Sequence, residues 1–239
     1  NQTFGDNEHF VSAILRQSYQ RNKNNFVSAY GENAAAQGLY YVNSFTTNQS
    51  AGGSFSDWKL LSYAAVANYS YLDKYVVNFT WRNDGSSRFA SGYRFGDFFS
   101  YGLAWNISNE NFLADSPVVD ALKLRASWGE SGDSNIGLNQ YQSLFGYGAD
   151  YNDQGAVYPT SFGNAVISWE KAEKLDIGLD FTLLGNRING SVGYYNKKTN
   201  DLLQSVPLSL TTGHSSQTQN VGDVENKGVE IELDATVLK

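Results

Sequence analysis

With 239 residues, no cysteine, two histidines and a net charge of -7, the chain has neither the basic blocks that hold nucleic acid nor the thiolates of zinc and disulfide chemistry. Aromatic residues make up 15 % of it, beside 23 glycines and only 3 prolines, a strand-and-turn composition with little helical material. Mean hydropathy is -0.42 and no apolar run reaches the ~18 residues of a spanning helix, so only strands could carry this chain across a membrane. The polar opening at Asn1 has no secretion leader, and Lys239 directly follows an alternating run, so the chain reads as a mature or trimmed segment.

From His9 to Gln20 a loose alternation places Val11, Ala13, Leu15 and Tyr19 on one parity, a first strand. Residues 21–57, rich in Asn, Ala, Gly and Ser, read as a long loop, with Phe26 to Tyr30 able to prolong the strand. A hairpin follows over Ser62 to Arg82. Tyr63, Ala65, Ala67, Tyr69 and Tyr71 alternate with mostly small or polar residues. Leu72 to Lys74 reverse the chain, and Tyr75, Val77, Phe79 and Trp81 then alternate with Asn78, Thr80 and Arg82. A loop at 83–97 holds the turn-rich DGSSRF, in which Gly85 is expected to serve a turn. Phe99 to Ser108 obeys the alternation at every position, with Tyr101, Leu103, Trp105 and Ile107 on the apolar side. Leu122 to Gly129 sets Leu122, Leu124, Ala126 and Trp128 against Lys123 and Arg125.

Residues 130–168 form the longest loop and carry Tyr141, Phe145, Tyr147, Tyr151, Tyr158 and Phe162. Trp169 to Leu183 returns as a strand, with Leu175, Ile177, Leu179 and Phe181 opposed to Lys174, Asp176 and Asp180. Gly185 and Asn186 are expected to make a two-residue turn into a strand with Val192 and Tyr194 on its apolar side. After a loop at 201–227, Val229, Ile231, Leu233, Ala235 and Val237 alternate with Glu230, Glu232 and Asp234.

Eight strands result, and their connections alternate strictly between long and short. A soluble sandwich has no reason to sort loops by length, whereas an outer-membrane barrel keeps short periplasmic turns and long extracellular loops. The carboxylates agree, being costly in a dry core and tolerated on a wetted lumen wall. The predicted fold is therefore all-β, a transmembrane antiparallel up-and-down barrel. Tyr63, Tyr69, Phe79, Trp81, Tyr101, Leu103, Trp105 and Trp128 would face lipid; Arg82, Lys123, Arg125, Asp176, Asp180, Glu230 and Glu232 would face the lumen. Two alternatives stand beside it: a small structural or adhesive outer-membrane barrel, and a soluble β-sandwich that binds carbohydrate.

Catalytic chemistry finds little footing. His9 opens a strand and His214 lies beside Ser215 and Ser216 in a loop, and neighbours in sequence rarely make triad geometry. The strand carboxylates suit a solvated wall better than a glycosidase pair. Asp150 and Asp153 in YGADYNDQG have oxygen-ligand spacing for calcium, but a turn explains them better. The loop aromatics Tyr141, Phe145, Tyr147, Tyr151, Tyr158 and Phe162 are the binding candidates, because exposed rings stack on sugars or hold peptide side chains.

Four stretches carry a family resemblance: NYSYLDKYVVNFTWRNDGSSRF from Asn68, LKLRASWGESGD from Leu122, WEKAEKLDIGLDFTLLGNRINGSVGYYNKKTNDLL from Trp169, and NVGDVENKGVEIEL from Asn220. In order and content they resemble the SusC/RagA-like TonB-dependent outer-membrane transporters of Bacteroidetes, from about Trp58 onward. The resemblance implies that residues 1–239 are barrel throughout, a sector of about eight strands of a larger, 22-stranded type of plugged barrel, without its plug domain or C-terminal closing strands. It further implies uptake of an oligosaccharide or peptide, a SusD/RagB-like lipoprotein lid over the long loops, the TonB complex as partner of the N-terminal part, a Gram-negative outer membrane, no enzymatic activity and no cofactor.

Overall fold

The alternating segments pair in sequence order into one antiparallel sheet. The computed structural model describes residues 2–4, 8–39 and 41–236, so Val237 lies outside the described residues. The strands are β1 (Gln2–Phe4), β2 (His9–Ala34), β3 (Phe45–Tyr71), β4 (Tyr75–Ser86), β5 (Phe95–Asn106), β6 (Val119–Asp133), β7 (Leu144–Tyr151), β8 (Gln154–Ser161), β9 (Glu170–Leu183), β10 (Ile188–Asn200), β11 (Leu203–Pro207), β12 (Ser216–Asn220) and β13 (Val224–Ala235). Nine of them run β1-β2-β3-β4-β5-β6-β9-β10-β13, while β7–β8 and β11–β12 are separate hairpins within the connections. The eight long members are the eight predicted strands. The sheet does not close on itself; β13 ends it on one side, and β1 covers only the start of β2 on the other.

Register carries the two faces intact across the sheet. Tyr69, Val77, Leu103, Ala126, Ile177, Tyr194 and Val229 stand opposite one another in turn, as do Phe79, Tyr101, Trp128 and Leu175. Because side chains alternate strictly, the intervening rows are the polar ones. Exposure is inverted relative to a soluble sheet. Ser12, Ser62, Ser70, Asp84 and Ser86 are buried on the polar face, while Leu103 and Tyr101 on the apolar face are 57 % and 49 % exposed. Accessible surface totals 16409 Å², against about 10,600 Å² for a soluble globule of this mass. Among the described residues, nothing packs as a layer on the apolar face of this sheet.

At one end the connections are short. Leu72 and Asp73 turn with φ of 51° and 52°, and Asn186 follows Leu184 and Gly185 in left-handed conformation. The β9–β10 link thus uses four residues, 184–187, and not two, because Ile188 pairs with Leu183. A file of rings lines this rim: Phe4, His9, Tyr71, Tyr75 and Trp105 stand on successive strands, in register. Their centroid separations run from 4.8 to 6.5 Å. Glu110 ties the file down, accepting from Tyr75 Oη at 2.6 Å, Lys74 Nζ at 3.0 Å and Trp105 Nε1 at 3.1 Å.

At the other end the four predicted loops prove partly strand. Most of 21–57 is a continuation of β2 and β3, whose pairing runs unbroken from His9↔Tyr71 to Tyr30↔Ser50. Both faces there meet solvent, so backbone pairing holds the ribbon without leaving an apolar period in the sequence. Residues 83–86 and 95–97 belong to β4 and β5, 130–133 to β6, and 224–227 to β13. Ile107 leaves β5 for a single 3₁₀ turn. Gly85 lies within β4 rather than in a turn, since any Cβ there would enter the Phe95 ring.

The only compact core among the described residues sits where these long connections leave the sheet. Phe89, Phe98, Ile136, Ile167 and Trp169 are buried together, with Leu60, Tyr141 and Leu203 packed against them. Trp169 meets Phe89 at 5.3 Å and Phe98 edge-on at 5.6 Å, and its Nε1 donates to Arg94 O at 2.9 Å. Arg88 donates to Ile136 O and lies over the Trp58 ring at 5.1 Å. DGSSRF is therefore the staple between β4 and this core.

Two expectations follow. Gly132 carries the Phe98 ring where a Cβ would stand, so Gly132→Val is expected to cost about 1–3 kcal/mol by overpacking and to open residues 134–169 to limited proteolysis. The donors around Glu110, Tyr75 first, hold its carboxyl down at about 2. A depressed folded value stabilises fully above the ordinary 4.5 and is lost as pH falls toward 2. Glu110→Gln should lower the unfolding midpoint at pH 7 and remove that acid-dependent loss, as read by denaturant titration across the interval.

Candidate functional site

The polar face of the sheet forms a charged wall on β6, β9, β10 and β13. Lys123, Asp180, Ser191 and Glu232 stand in one row, and Arg125, Gly178, Gly193 and Glu230 in the next. Arg125 Nε donates to both oxygens of Asp180, at 3.2 and 3.1 Å, and its guanidinium lies where a Cβ of residue 178 would be. Asp176 pairs with Lys174 at 3.0 Å. Half-exposed pairs of this kind contribute little stability; they set which charges a passing solute meets.

On β2, β3 and β4 the same face has a different character. Arg82 bonds Asp84 at 2.9 Å, and Asn68 accepts from Asn78 at 2.9 Å. Arg16 lies on this face too, across Ala64 from Arg82. Sequence reading passed over Arg16 because the first strand alternates loosely; the parity of Leu15 and Gln17 would have revealed it.

All seven residues predicted for the lumen, Arg82, Lys123, Arg125, Asp176, Asp180, Glu230 and Glu232, share the polar face. All eight predicted for lipid, Tyr63, Tyr69, Phe79, Trp81, Tyr101, Leu103, Trp105 and Trp128, share the other.

The loop aromatics do not gather into one cluster. Tyr141 is partly buried and packs on the core. Phe145, Tyr147 and Val157 share one face of the β7–β8 hairpin, Tyr147 being 87 % exposed, and Tyr158 covers Gly146 on the other. Phe162 meets the His214 ring at a tilt, centroids 5.6 Å apart. The side chain of Tyr151 lies outside the described residues. Asn152 and Asp153 form the hairpin corner with φ of 53° and 58°, which accounts for the Asp150–Asp153 spacing by turn geometry. Among the described residues, neither histidine side chain hydrogen-bonds a serine or threonine; His9 Nδ1 pairs with Tyr69 Oη at 2.9 Å, and the His214 ring lies against Phe162.

The elongated β2–β3 ribbon holds Phe26 and Tyr30 in strand, in line with the expectation that they prolong the first strand, and adds Phe55, which the sequence places in a loop. Phe26, Tyr30 and Phe55 are exposed along it. Near its tip, Tyr30 and Asn48 donate to Glu32 and hold its carboxyl below the usual range. The period-two signal that marks a half-buried strand is missing here, so composition alone pointed to a loop.

Residues 1–238 match the family described as "TonB dependent receptor-like, beta-barrel". The TonB-dependent receptor SusC of Bacteroides thetaiotaomicron is 41 % identical over 187 residues, covering 74 % of this chain and 18 % of that protein. The TonB-dependent receptor P3 of Formosa agariphila is 35 % identical over 241 residues, 98 % of this chain and 24 % of that protein. Among solved structures, the RagAB peptide transporter superposes with a TM-score of 0.89 at 28 % identity, over 100 % of this chain and 27 % of that one. The siderophore receptor PirA from Pseudomonas aeruginosa shares the fold alone, with a TM-score of 0.52 at 14 % identity, over 75 % of this chain and 31 % of that one. The chain thus spans about a quarter of the length of such relatives. The similarity, legible in sequence from Trp58 onward, extends back through β2.

A cation placed on the apolar face tests its environment. Leu103→Arg is expected to cost about 2–4 kcal/mol at a bilayer midplane and to deplete the heat-modifiable folded form on unboiled gels, whereas Ser100→Arg on the polar face should assemble normally.

Proposed function

Since the chain belongs to the TonB dependent receptor-like β-barrel family, we propose that it supplies one sector of the wall of a plugged outer-membrane importer for oligosaccharides or peptides. The inverted sheet carries this reading: large apolar side chains face outward over the height of the strands, and the charged residues share the opposite face. A wall of that kind separates lipid from a wet passage. Relatives named as receptors and a peptide transporter fit a protein that binds and moves solutes without covalent chemistry. On the charged face Arg125 pairs with Asp180 and Lys174 with Asp176.

In this reading the TonB complex supplies the energy through parts of the protein beyond this sector. A SusD/RagB-like lipoprotein covers the end where β7–β8, β11–β12 and the β2–β3 ribbon project. Phe145, Tyr147, Tyr158 and Phe162 act as stacking platforms at the entrance, and Tyr141 packs on the core. The alternative of a soluble carbohydrate-binding module conflicts with the exposed aromatic face, which would aggregate in water.

Replacing residues 144–161 of the full-length protein by a short Gly-Ser linker is expected to reduce solute uptake to background in cells while leaving the amount of assembled barrel unchanged. Undiminished uptake would remove the hairpin from the entrance.

A further inference from the structure

On the polar face of β2, β3 and β4, nine positions form a square grid. Ile14, Val66 and Thr80 make one row, Arg16, Ala64 and Arg82 the next, and Ser18, Ser62 and Asp84 the third. The centre is small. Two side chains of full length therefore stand either side of Ala64, with backbones two strand spacings, about 10 Å, apart. Between them lies a trough of about 440 Å³ walled by Arg16, Arg82, Ser18, Ser62 and Thr80.

The charges are unevenly used. Among the described residues, Arg16 has no carboxylate within 4.0 Å and donates no side-chain hydrogen bond. Arg82 gives one nitrogen, Nη2, to Asp84 Oδ2 and keeps the rest of its fork free. Asp84 is only 9 % exposed at its side chain, and its Oδ1 is buried without a donor. The trough thus offers two guanidiniums to an oxyanion, and beside them three hydroxyls set among Ile14, Ala64 and Val66. In a chain of net charge -7, this sector of the wall is locally cationic.

We propose that the trough is a subsite for an acidic sugar unit, one bearing a carboxylate or a sulfate. The oxyanion lies between Arg16 and Arg82, whose planar donors match its paired oxygens. Ring hydroxyls of the same unit exchange hydrogen bonds with Ser18, Ser62 and Thr80. A neutral sugar satisfies the hydroxyls but leaves the guanidiniums unmatched; a peptide carboxylate does the reverse. The proposal rests on the transport reading and narrows its solute.

The test uses the full-length protein, wild type and Arg16→Gln/Arg82→Gln, with matched probes: oligogalacturonides and their carboxyl-reduced forms, chondroitin sulfate oligosaccharides and their desulfated forms, and an acidic peptide with its amide. Calorimetry should show at least one acidic sugar bound about tenfold more tightly than its neutral counterpart, a preference that shrinks with added salt. The double variant should lose that preference and keep the affinity for the neutral member.

Four results overturn the proposal: no acidic preference in wild type, a preference that survives in the variant, a preference confined to the peptide pair, or equal loss of both members of a pair. The last would assign the arginines to the barrel's own assembly. If cells import a neutral sugar as well as its acidic partner, transport stands and the acidic subsite falls; if wild type binds and imports none of the probes, both readings fall together.

Discussion

The structure depends on backbone hydrogen bonding in a place where water cannot supply it. Every N–H and C=O that faces lipid must find a partner inside the protein, and strands do so only when each is paired on both sides. Pairing in turn fixes register, and with a side-chain period of two a slip of one residue would turn Leu103 and Trp128 inward and Arg125 and Asp180 outward. The rows that cross β3 to β13 without a change of character show that every strand keeps the same register logic.

Because the apolar face has no internal partner, the chain must find its rigidity elsewhere. Two devices provide it, one at each end. At the short-turn rim, ring stacking across β1 to β5 is fastened by Glu110, whose carboxylate gathers a tyrosine, a lysine and a tryptophan. At the long-loop rim, the buried cluster around Trp169 sits over Gly96 and Gly132, where absent side chains make room for Phe98. The first device orders the edge of the sheet, and the second anchors the bases of the connections, leaving their outer portions to vary.

The polar face divides by charge. Over β6 to β13, Arg125 and Lys174 are held by Asp180 and Asp176, while Lys123 stands in the row of Asp180 without an ion pair among the described residues. Over β2 to β4, Arg16 has no carboxylate partner among the described residues and Arg82 is only partly engaged. One wall therefore presents two chemistries to anything passing along it, although both are built from the same alternation of strand residues.

Sequence alone was enough for the eight long strands, their order of long and short links, and the membership of both faces, because a half-buried strand writes its environment into every second residue: Phe99 to Asn106 could be read position by position. It was enough for the family as well. Of the β2–β3 ribbon only Phe26 to Tyr30 was legible, and β7–β8 and β11–β12 were not, since strands wetted on both faces or folded within a loop leave no apolar period, and residues such as Asn24 and Ser56 read as loop. Nor could the sequence separate Tyr141, a core residue, from Tyr147, an exposed one, as both stand in the same glycine-rich stretch. Only the tertiary structure set Arg16 across Ala64 from Arg82, and Phe98 over Gly132, because those contacts join residues tens of positions apart whose proximity is decided by inter-strand register and not by any local pattern.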